Sequence, residues 1–81
     1  MKTDAIVADK VLDTSGMSCP MPLLKTKKTL SEMTPGQVLE VISTDPGSQK
    51  DIPRFADKGD NSLLDRVASE GGVYRYYIRK G

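Results

Sequence analysis

The 81-residue chain contains one cysteine, Cys19, which lies between Ser18 and the segment Pro20-Met21-Pro22. A thiolate attacks the sulfur of disulfides and persulfides, so this residue is the first candidate for chemistry. The chain has no histidine, which removes the commonest general base and the commonest transition-metal ligand. A Cys-His or Ser-His-Asp arrangement and a structural zinc site are therefore excluded for this chain alone, and we expect no metal or other cofactor.

The prolines around Cys19 predict that its thiol lies at the start of a helix. A residue before proline is disfavoured in the α conformation, so Cys19 should occupy the cap position, and Pro20 supplies the first helical φ angle. The partial positive charge of a helix N-terminus favours the thiolate and lowers the pKa of a cysteine below its ordinary value of about 8.5. Pro20 and Pro22 lack N–H donors, so the expected drop in pKa is modest. They also hold the thiol at a rigid, exposed corner.

Two interpretations of Cys19 stay open from the residues alone. A lone cysteine in a small domain is often a buried, inert residue, which would make this a regulatory interaction domain with a structural cysteine. A thiolate without an adjacent base can instead take sulfur from a persulfide and pass it to another protein. Carrying sulfur fits these residues better than turnover catalysis, and whether the protein is an enzyme stays open.

Hydrophobic patterning predicts the elements that must position Cys19. Residues 10–15, ended by Gly16, predict a first strand, and residues 38–44 predict a buried second strand. Between them, residues 20–33 have the spacing of a helix with one buried stripe. The stripe consists of Leu23, Thr26, Leu30 and Met33. A strand, a helix and a strand in this order predict a right-handed parallel crossover.

The second half of the chain predicts a helix and a hairpin. Residues 48–58 are typical of a helix, but Pro53 fits only a first helical turn, so the helix should begin near Asp51 or follow an irregular turn. Residues 63–70 and 73–80 predict two strands joined by a two-residue turn at Gly71-Gly72. The order βαβαββ predicts an α/β fold of the α+β kind: a two-layer sandwich with a four-stranded mixed sheet and two helices on one face. We expect residues 1–81 to form one domain.

Charge and hydropathy limit the classes of partner. A formal net charge of +1 gives no global field that attracts nucleic acid or an acidic membrane, so we expect no direct DNA or membrane binding. Residues 1–16 contain no apolar run that would serve as a signal peptide or span a bilayer, so we expect a cytoplasmic location.

Two groups of side chains have alternative interpretations. Lys25, Lys27 and Lys28 fall largely outside the buried stripe, so they either dock an acidic partner or form a plain solvated helix face. A second group would serve either as an RNA-binding surface or as strand packing. It consists of Tyr74, Arg75, Tyr76, Tyr77 and Arg79.

Gly16 followed by Cys19-Pro20-Met21-Pro22 at the start of a lysine-rich helix resembles the Cys-Pro-x-Pro signature of the TusA/SirA/YedF family of sulfur-carrier proteins. The resemblance extends from Val11 to the end of the chain. Its further landmarks are Pro35-Gly36, Asp45-Pro46, Asp51-Ile52-Pro53, and Tyr74-Arg75-Tyr76 through Arg79-Lys80.

The resemblance implies a βαβαββ sandwich like the C-terminal domain of a translation initiation factor. It implies that Cys19 accepts sulfane sulfur as a persulfide, with Pro20 and Pro22 supporting the motif. It also implies a cysteine desulfurase or rhodanese as donor and a DsrE-type or TusD-type relay protein as acceptor. The destinations implied are tRNA thiolation, molybdenum cofactor synthesis and oxidation of reduced sulfur compounds, and nothing in the sequence selects among them.

Overall fold

A computed structural model describes residues 8–18, 21–69 and 71–81. These residues form six elements in the predicted order βαβαββ, with boundaries within two residues of those predicted. The strands are β1 (Lys10–Thr14), β2 (Val38–Ser43), β3 (Ser62–Ser69) and β4 (Val73–Arg79). The helices are α1 (Met21–Ser31) and α2 (Ser48–Lys58).

The strands form one mixed sheet in the order β1-β2-β4-β3. β1 is parallel to β2, while β4 is antiparallel to both of its neighbours. α1 packs against β1 and β2, α2 packs against β3 and β4, and the two helices contact each other. This confirms the predicted four-stranded mixed sheet with both helices on one face.

The hydrophobic core lies between the sheet and the two helices. Side chains of β2 alternate, so that Leu39 and Val41 are buried against the helices while Glu40 and Ile42 lie on the opposite, open face. The buried apolar members of the core are Leu30, Met33, Leu39, Val41, Ile52, Ala56, Tyr76 and Ile78. Because these side chains come from both helices and from the two central strands, the core fixes where each helix begins relative to the sheet.

α1 ends two residues earlier than predicted. The N–H groups of Glu32 and Met33 donate to the carbonyl oxygens three residues earlier, those of Thr29 and Leu30, at 3.1 Å. Bonds of this 3₁₀ type tighten the last turn and end the α-helix at Ser31. Met33 is still buried in the core, as its place in the predicted stripe requires.

α2 spans the predicted range 48–58, so the alternative start near Asp51, which Pro53 suggested, is wrong. The helix begins at Ser48, so Pro53 lies in its second turn. Pro53 lacks only the N–H that would bond to the carbonyl of Gln49, an exposed residue whose carbonyl can turn to water. Ile52 and Ala56 are fully buried, and their packing holds the helix on both sides of the proline.

The connection between β3 and β4 uses two glycines in the left-handed region, as predicted, but the prediction of a two-residue turn is wrong. Gly71 and Gly72 have φ angles of +83° and +78°. Ser69 pairs directly with Val73, so three residues separate the paired ends. Glu70, the first of the three, lies outside the described residues. A three-residue connection is the next most common hairpin type, and it also needs positive φ.

Both described helices have 11 residues. About 20 apolar residues are needed to cross the hydrocarbon core of a bilayer as a helix. Among the described residues, no helix is long and apolar enough to do so.

Candidate functional site

Both helices begin at the same edge of the sheet. β1 and β2 are parallel neighbours, so their last residues, Thr14 and Ser43, lie side by side. The chain continues from these ends into α1 and α2. The antiparallel strands complete the edge, where Tyr74 of β4 pairs with Ser43 on one side and Ala68 of β3 on the other. We call this end of the sheet, marked by Thr14, Ser43, Tyr74 and Ala68, the helix-entry edge.

Two hydrogen bonds fasten the chain after β1 to the end of β2. The hydroxyl of Thr14 donates to the carbonyl oxygen of Ile42 at 2.6 Å. The N–H of Gly16 donates to the hydroxyl of Thr44 at 2.9 Å. Gly16 has a φ angle of +82°, a conformation that glycine adopts without steric cost. The segment that leads to Cys19 is therefore held along the helix-entry edge.

Cys19 and Pro20 lie outside the described residues, so the cap position of Cys19 and the helical φ angle of Pro20 stay predictions. The residues on either side are described. Ser18 and Met21 are both exposed, and the carbonyl oxygen of Ser18 accepts the N–H of Met21 at 3.0 Å. The chain on both sides of Cys19 is therefore at the surface of the helix-entry edge.

Pro22 is a buried residue in the first turn of α1. The hydroxyl of Thr26, which is also buried, donates to the carbonyl oxygen of Pro22 at 2.7 Å. A proline in a first helical turn costs no helical hydrogen bond, because the first N–H groups have no partner within the helix. Pro22 thus anchors the start of α1 to the core without weakening the helix.

A buried hydroxyl pair joins the start of α2 to β4. The hydroxyl of Ser48 donates to the carbonyl oxygen of Asp45 at 2.7 Å, and it lies 2.8 Å from the hydroxyl of Tyr76. Because a carbonyl oxygen only accepts, the single Ser48 proton goes to Asp45, and Tyr76 must donate to Ser48. Burial raises the pKa of Tyr76 above its ordinary value.

Asp45 also organises the turn that leads into α2, although its side chain does not cap the helix. Its carboxylate accepts the N–H of Gly47 at 3.3 Å, and its carbonyl oxygen accepts the N–H of Ser48 at 3.0 Å. The N–H of Asp45 donates in turn to the hydroxyl of Ser43 at 3.1 Å. The last residue of β2 and the first of α2 are therefore joined through one aspartate.

The three candidate docking lysines do not form one patch. Successive helical residues are rotated by about 100°, so Lys25 and Lys28 share one flank of α1 while Lys27 lies on the other. Lys25 is half-buried and Lys28 is exposed. Lys27 faces α2, and its ammonium group lies 5.8 Å from the centre of the Phe55 ring. Only Lys27 therefore contributes to a surface that both helices share.

That shared surface is a groove between α1 and α2 with a volume of about 170 Å³. Its floor is apolar and its rim carries three basic side chains and one acidic side chain. The residues that line it are Leu23, Lys27, Asp51, Arg54, Phe55 and Lys58.

The tyrosines and arginines near the C-terminus do not form the single surface that RNA stacking would require. Tyr76 is buried and Tyr74 is half-buried on the helix side of the sheet. Arg75 and Tyr77 lie on the open face, where the Arg75 side chain is 3.6 Å from the Glu40 carboxylate. The structure therefore favours packing and cross-strand pairing for these residues.

The sequence did not indicate that Thr44 and Ser48 connect the helix-entry edge. Serine and threonine after a strand are typical of turns and caps, so their presence was visible but their distant partners were not. Gly16 and Tyr76 each lie 28 residues away from the residue they contact. Within the part of the chain that the structure describes, no group of three or more His, Cys, Asp or Glu residues could hold a metal ion.

The comparisons with known proteins agree with one another. The model of the family described as "Sulfurtransferase TusA" matches residues 10–80. The sulfur carrier protein TusA of Allochromatium vinosum is 50% identical over 72 residues, which cover 89% of this chain and 93% of that protein. The sulfur carrier protein TusA of Pseudomonas fluorescens is 39% identical over 72 residues, which cover 89% of this chain and 86% of that protein.

A solved structure has the same fold. The crystal structure of a SirA-like protein from Desulfitobacterium hafniense matches this chain with a TM-score of 0.79 and 25% sequence identity. The match covers 89% of this chain and 97% of that protein. The βαβαββ arrangement thus recurs over almost the full length of both chains.

The hydroxyl pair predicts how two substitutions and pH affect stability. Ser48→Ala leaves the buried Tyr76 hydroxyl without its acceptor and should lower the free energy of unfolding by about 2 kcal/mol. Tyr76→Phe removes both the hydroxyl and its need for a partner and should cost about 1 kcal/mol. Because the pKa of Tyr76 is raised in the folded state, its favourable contribution is present below the unfolded pKa and is lost above about pH 10.

Urea denaturation at neutral pH and above about pH 10 tests this. Tyr76→Phe should lose less stability than the unsubstituted protein as pH rises, because it lacks this ionising group. Equal costs for the two substitutions, together with equal losses at high pH, would contradict the assigned donor and acceptor.

Proposed function

This chain belongs to the TusA sulfurtransferase family, and on that premise we propose that it is a sulfur carrier that holds sulfane sulfur as a persulfide on Cys19. The observation that carries the proposal is the family match over residues 10–80, which includes the only cysteine of the chain. No other residue of this chain offers a thiol.

The transfer step needs no external oxidant or reductant. The Cys19 thiolate attacks the outer, sulfane sulfur of a donor persulfide, and a new S–S bond forms on Cys19. The S–S bond of the donor breaks, and its electron pair leaves with the donor's inner sulfur as a thiolate. Release to an acceptor is the same exchange, in which an acceptor thiolate attacks the outer sulfur and Cys19 leaves as the thiolate.

The surroundings of Cys19 support this exchange. The exposed flanking residues, Ser18 and Met21, leave this part of the helix-entry edge open to a visiting protein. The start of α1 favours the negative charge of a thiolate or a persulfide.

We further propose that the donor is a cysteine desulfurase or a rhodanese and that the acceptor is a DsrE-type or TusD-type relay protein. Both partners must present a cysteine to the helix-entry edge, so they would use this surface in turn. The destinations considered for the sulfur are tRNA thiolation, cofactor synthesis and sulfur oxidation. A cytoplasmic location is part of this proposal.

Loading of Cys19 is tested by mass spectrometry. The protein is incubated with a cysteine desulfurase and L-cysteine without reductant, and its intact mass is measured. We expect a gain of one sulfur atom that dithiothreitol removes and that Cys19→Ser does not show. Absence of the gain, or the same gain in Cys19→Ser, would contradict the proposal.

We also propose that the lysines of α1 help to dock the donor, with Lys27 contributing most. Lys27 shares the interhelical groove with Arg54 and Lys58, so three basic groups act on one acidic partner surface. Lys25 and Lys28 lie on the other flank of α1 and lack this support.

Charge-reversal variants distinguish the contributions of these three lysines to docking. At low salt, Lys27→Glu should lower the rate of sulfur loading from the desulfurase about tenfold, equivalent to about 1.4 kcal/mol, because it weakens the charge complementarity of the encounter. Lys25→Glu and Lys28→Glu carry the same charge change and should have smaller effects. Loading at the unsubstituted rate in all three variants would remove the docking role.

A further inference from the structure

A second cavity of about 430 Å³ opens at the helix-entry edge, between the start of α2 and strands β3 and β4. Its size falls within the usual range for sites that take a small ligand or a side chain. The lining residues that matter here are Gln49, Lys50, Arg66, Ala68, Tyr74 and Tyr76.

The cavity is electropositive. Lys50 comes from α2 and Arg66 from β3, so two basic side chains from different elements converge on it. Neither lies within 4.0 Å of a carboxylate of another described residue. Asp45, in the turn before α2, does not line the cavity, and its carboxylate accepts the N–H of Gly47. Within the described ranges, neither positive charge is therefore paired with a carboxylate, and both can act on an incoming anion.

The positive character comes from side chains rather than from the helix N-terminus. The N–H groups of Ser48, Gln49 and Lys50 already donate to the carbonyl oxygens of Asp45, Pro46 and Gly47. The Tyr76 hydroxyl at the floor of the cavity also needs no hydrogen bond from a ligand, because it is already bonded to Ser48. Lys50 and Arg66 are therefore the groups that would bind an anion in this cavity. The Gln49 side chain and the half-buried Tyr74 also line it.

We propose that this cavity binds a carboxylate side chain of the protein that donates sulfur to Cys19, an assignment that rests on the proposed function. Thr14, Ser43, Tyr74 and Ala68 mark four neighbouring strands, so the edge is about 14 Å wide at about 4.8 Å between strands. A protein interface of about 800 Å² per partner is about 28 Å across. An interface of this width that is centred on the start of α1 is therefore large enough to extend over this cavity.

A protein carboxylate fits the cavity better than RNA does. Two basic side chains would release only about two counterions from a nucleic acid, which gives little affinity at physiological salt. The Tyr76 ring is buried and cannot stack on a base. A carboxylate in this cavity could instead form a bidentate hydrogen-bonded pair with Arg66, while Lys50 supplies a second positive charge.

Charge-reversal variants test the contribution to sulfur exchange. At low salt, Lys50→Glu and Arg66→Glu should each lower the second-order rate of loading from a cysteine desulfurase about tenfold, and high salt should reduce the difference. Lys10→Glu, an exposed residue at the opposite edge with the same charge change, should load at the unsubstituted rate. Loading by inorganic polysulfide, which needs no docking, should be equal in all variants.

The outcomes of this test are distinct. Desulfurase loading at the unsubstituted rate in both cavity variants would overturn the cavity assignment and leave the carrier function intact. Failure of the unsubstituted protein to load from either source would instead reject the proposed function.

Binding is tested independently of sulfur chemistry by titrating the ¹⁵N-labelled protein with a tetraglutamate peptide. Amide shifts should appear at Gln49, Lys50 and Ala68, vanish in the double variant Lys50→Glu/Arg66→Glu, and persist in Lys10→Glu. A tetraglutamine peptide should cause none. No shift with tetraglutamate, equal shifts with sodium sulfate at the same ionic strength, or tighter binding of oligoadenylate would each overturn a protein carboxylate as the occupant.

Discussion

The parallel pairing of β1 with β2 is the constraint on which the rest of the structure depends. Parallel neighbours end at the same edge of a sheet, and the chain needs a crossover helix to return between them. Thr14 and Ser43 are therefore adjacent, and the helices that follow both start beside them. An antiparallel pairing of these strands would have placed the two helix starts at opposite ends of the molecule and separated the Cys19 region from the basic cavity.

Side chains rather than loop length hold this edge together. The hydroxyl of Thr44 accepts the N–H of Gly16, and the hydroxyl of Ser48 links Asp45 to Tyr76. Pro22, in the first turn of α1, is buried. Each contact joins a connecting segment to a strand or to the core. A carrier must present its sulfur to more than one partner, and a rigid edge reduces the entropy lost each time a partner binds.

Periodicity predicted the elements well because each signal is local. Alternation in residues 38–44 and a three-and-four spacing in residues 20–33 reflect which face of a strand or helix is buried. The partnerships were not predictable, because Ser48 meets Tyr76 only after the sheet forms, and only then do Lys50 and Arg66 line one cavity. Pro53 suggested a start of α2 near Asp51 that the structure does not show. Burial of Ile52 and Ala56 outweighs the loss of one exposed helical hydrogen bond at the proline.

Sulfur exchange at the helix-entry edge is tested most directly by comparing amide spectra of the ¹⁵N-labelled protein before and after it is loaded with sulfur. Loading should shift the amides of Gly16, Met17, Ser18 and Thr44, and dithiothreitol should reverse the shifts. The amides of Thr34, Gly36 and Gln37 and of residues 59–61, at the opposite edge of the sheet, should stay unchanged. Shifts confined to that opposite edge, or sulfur loading that leaves residues 16–18 unchanged, would contradict the account.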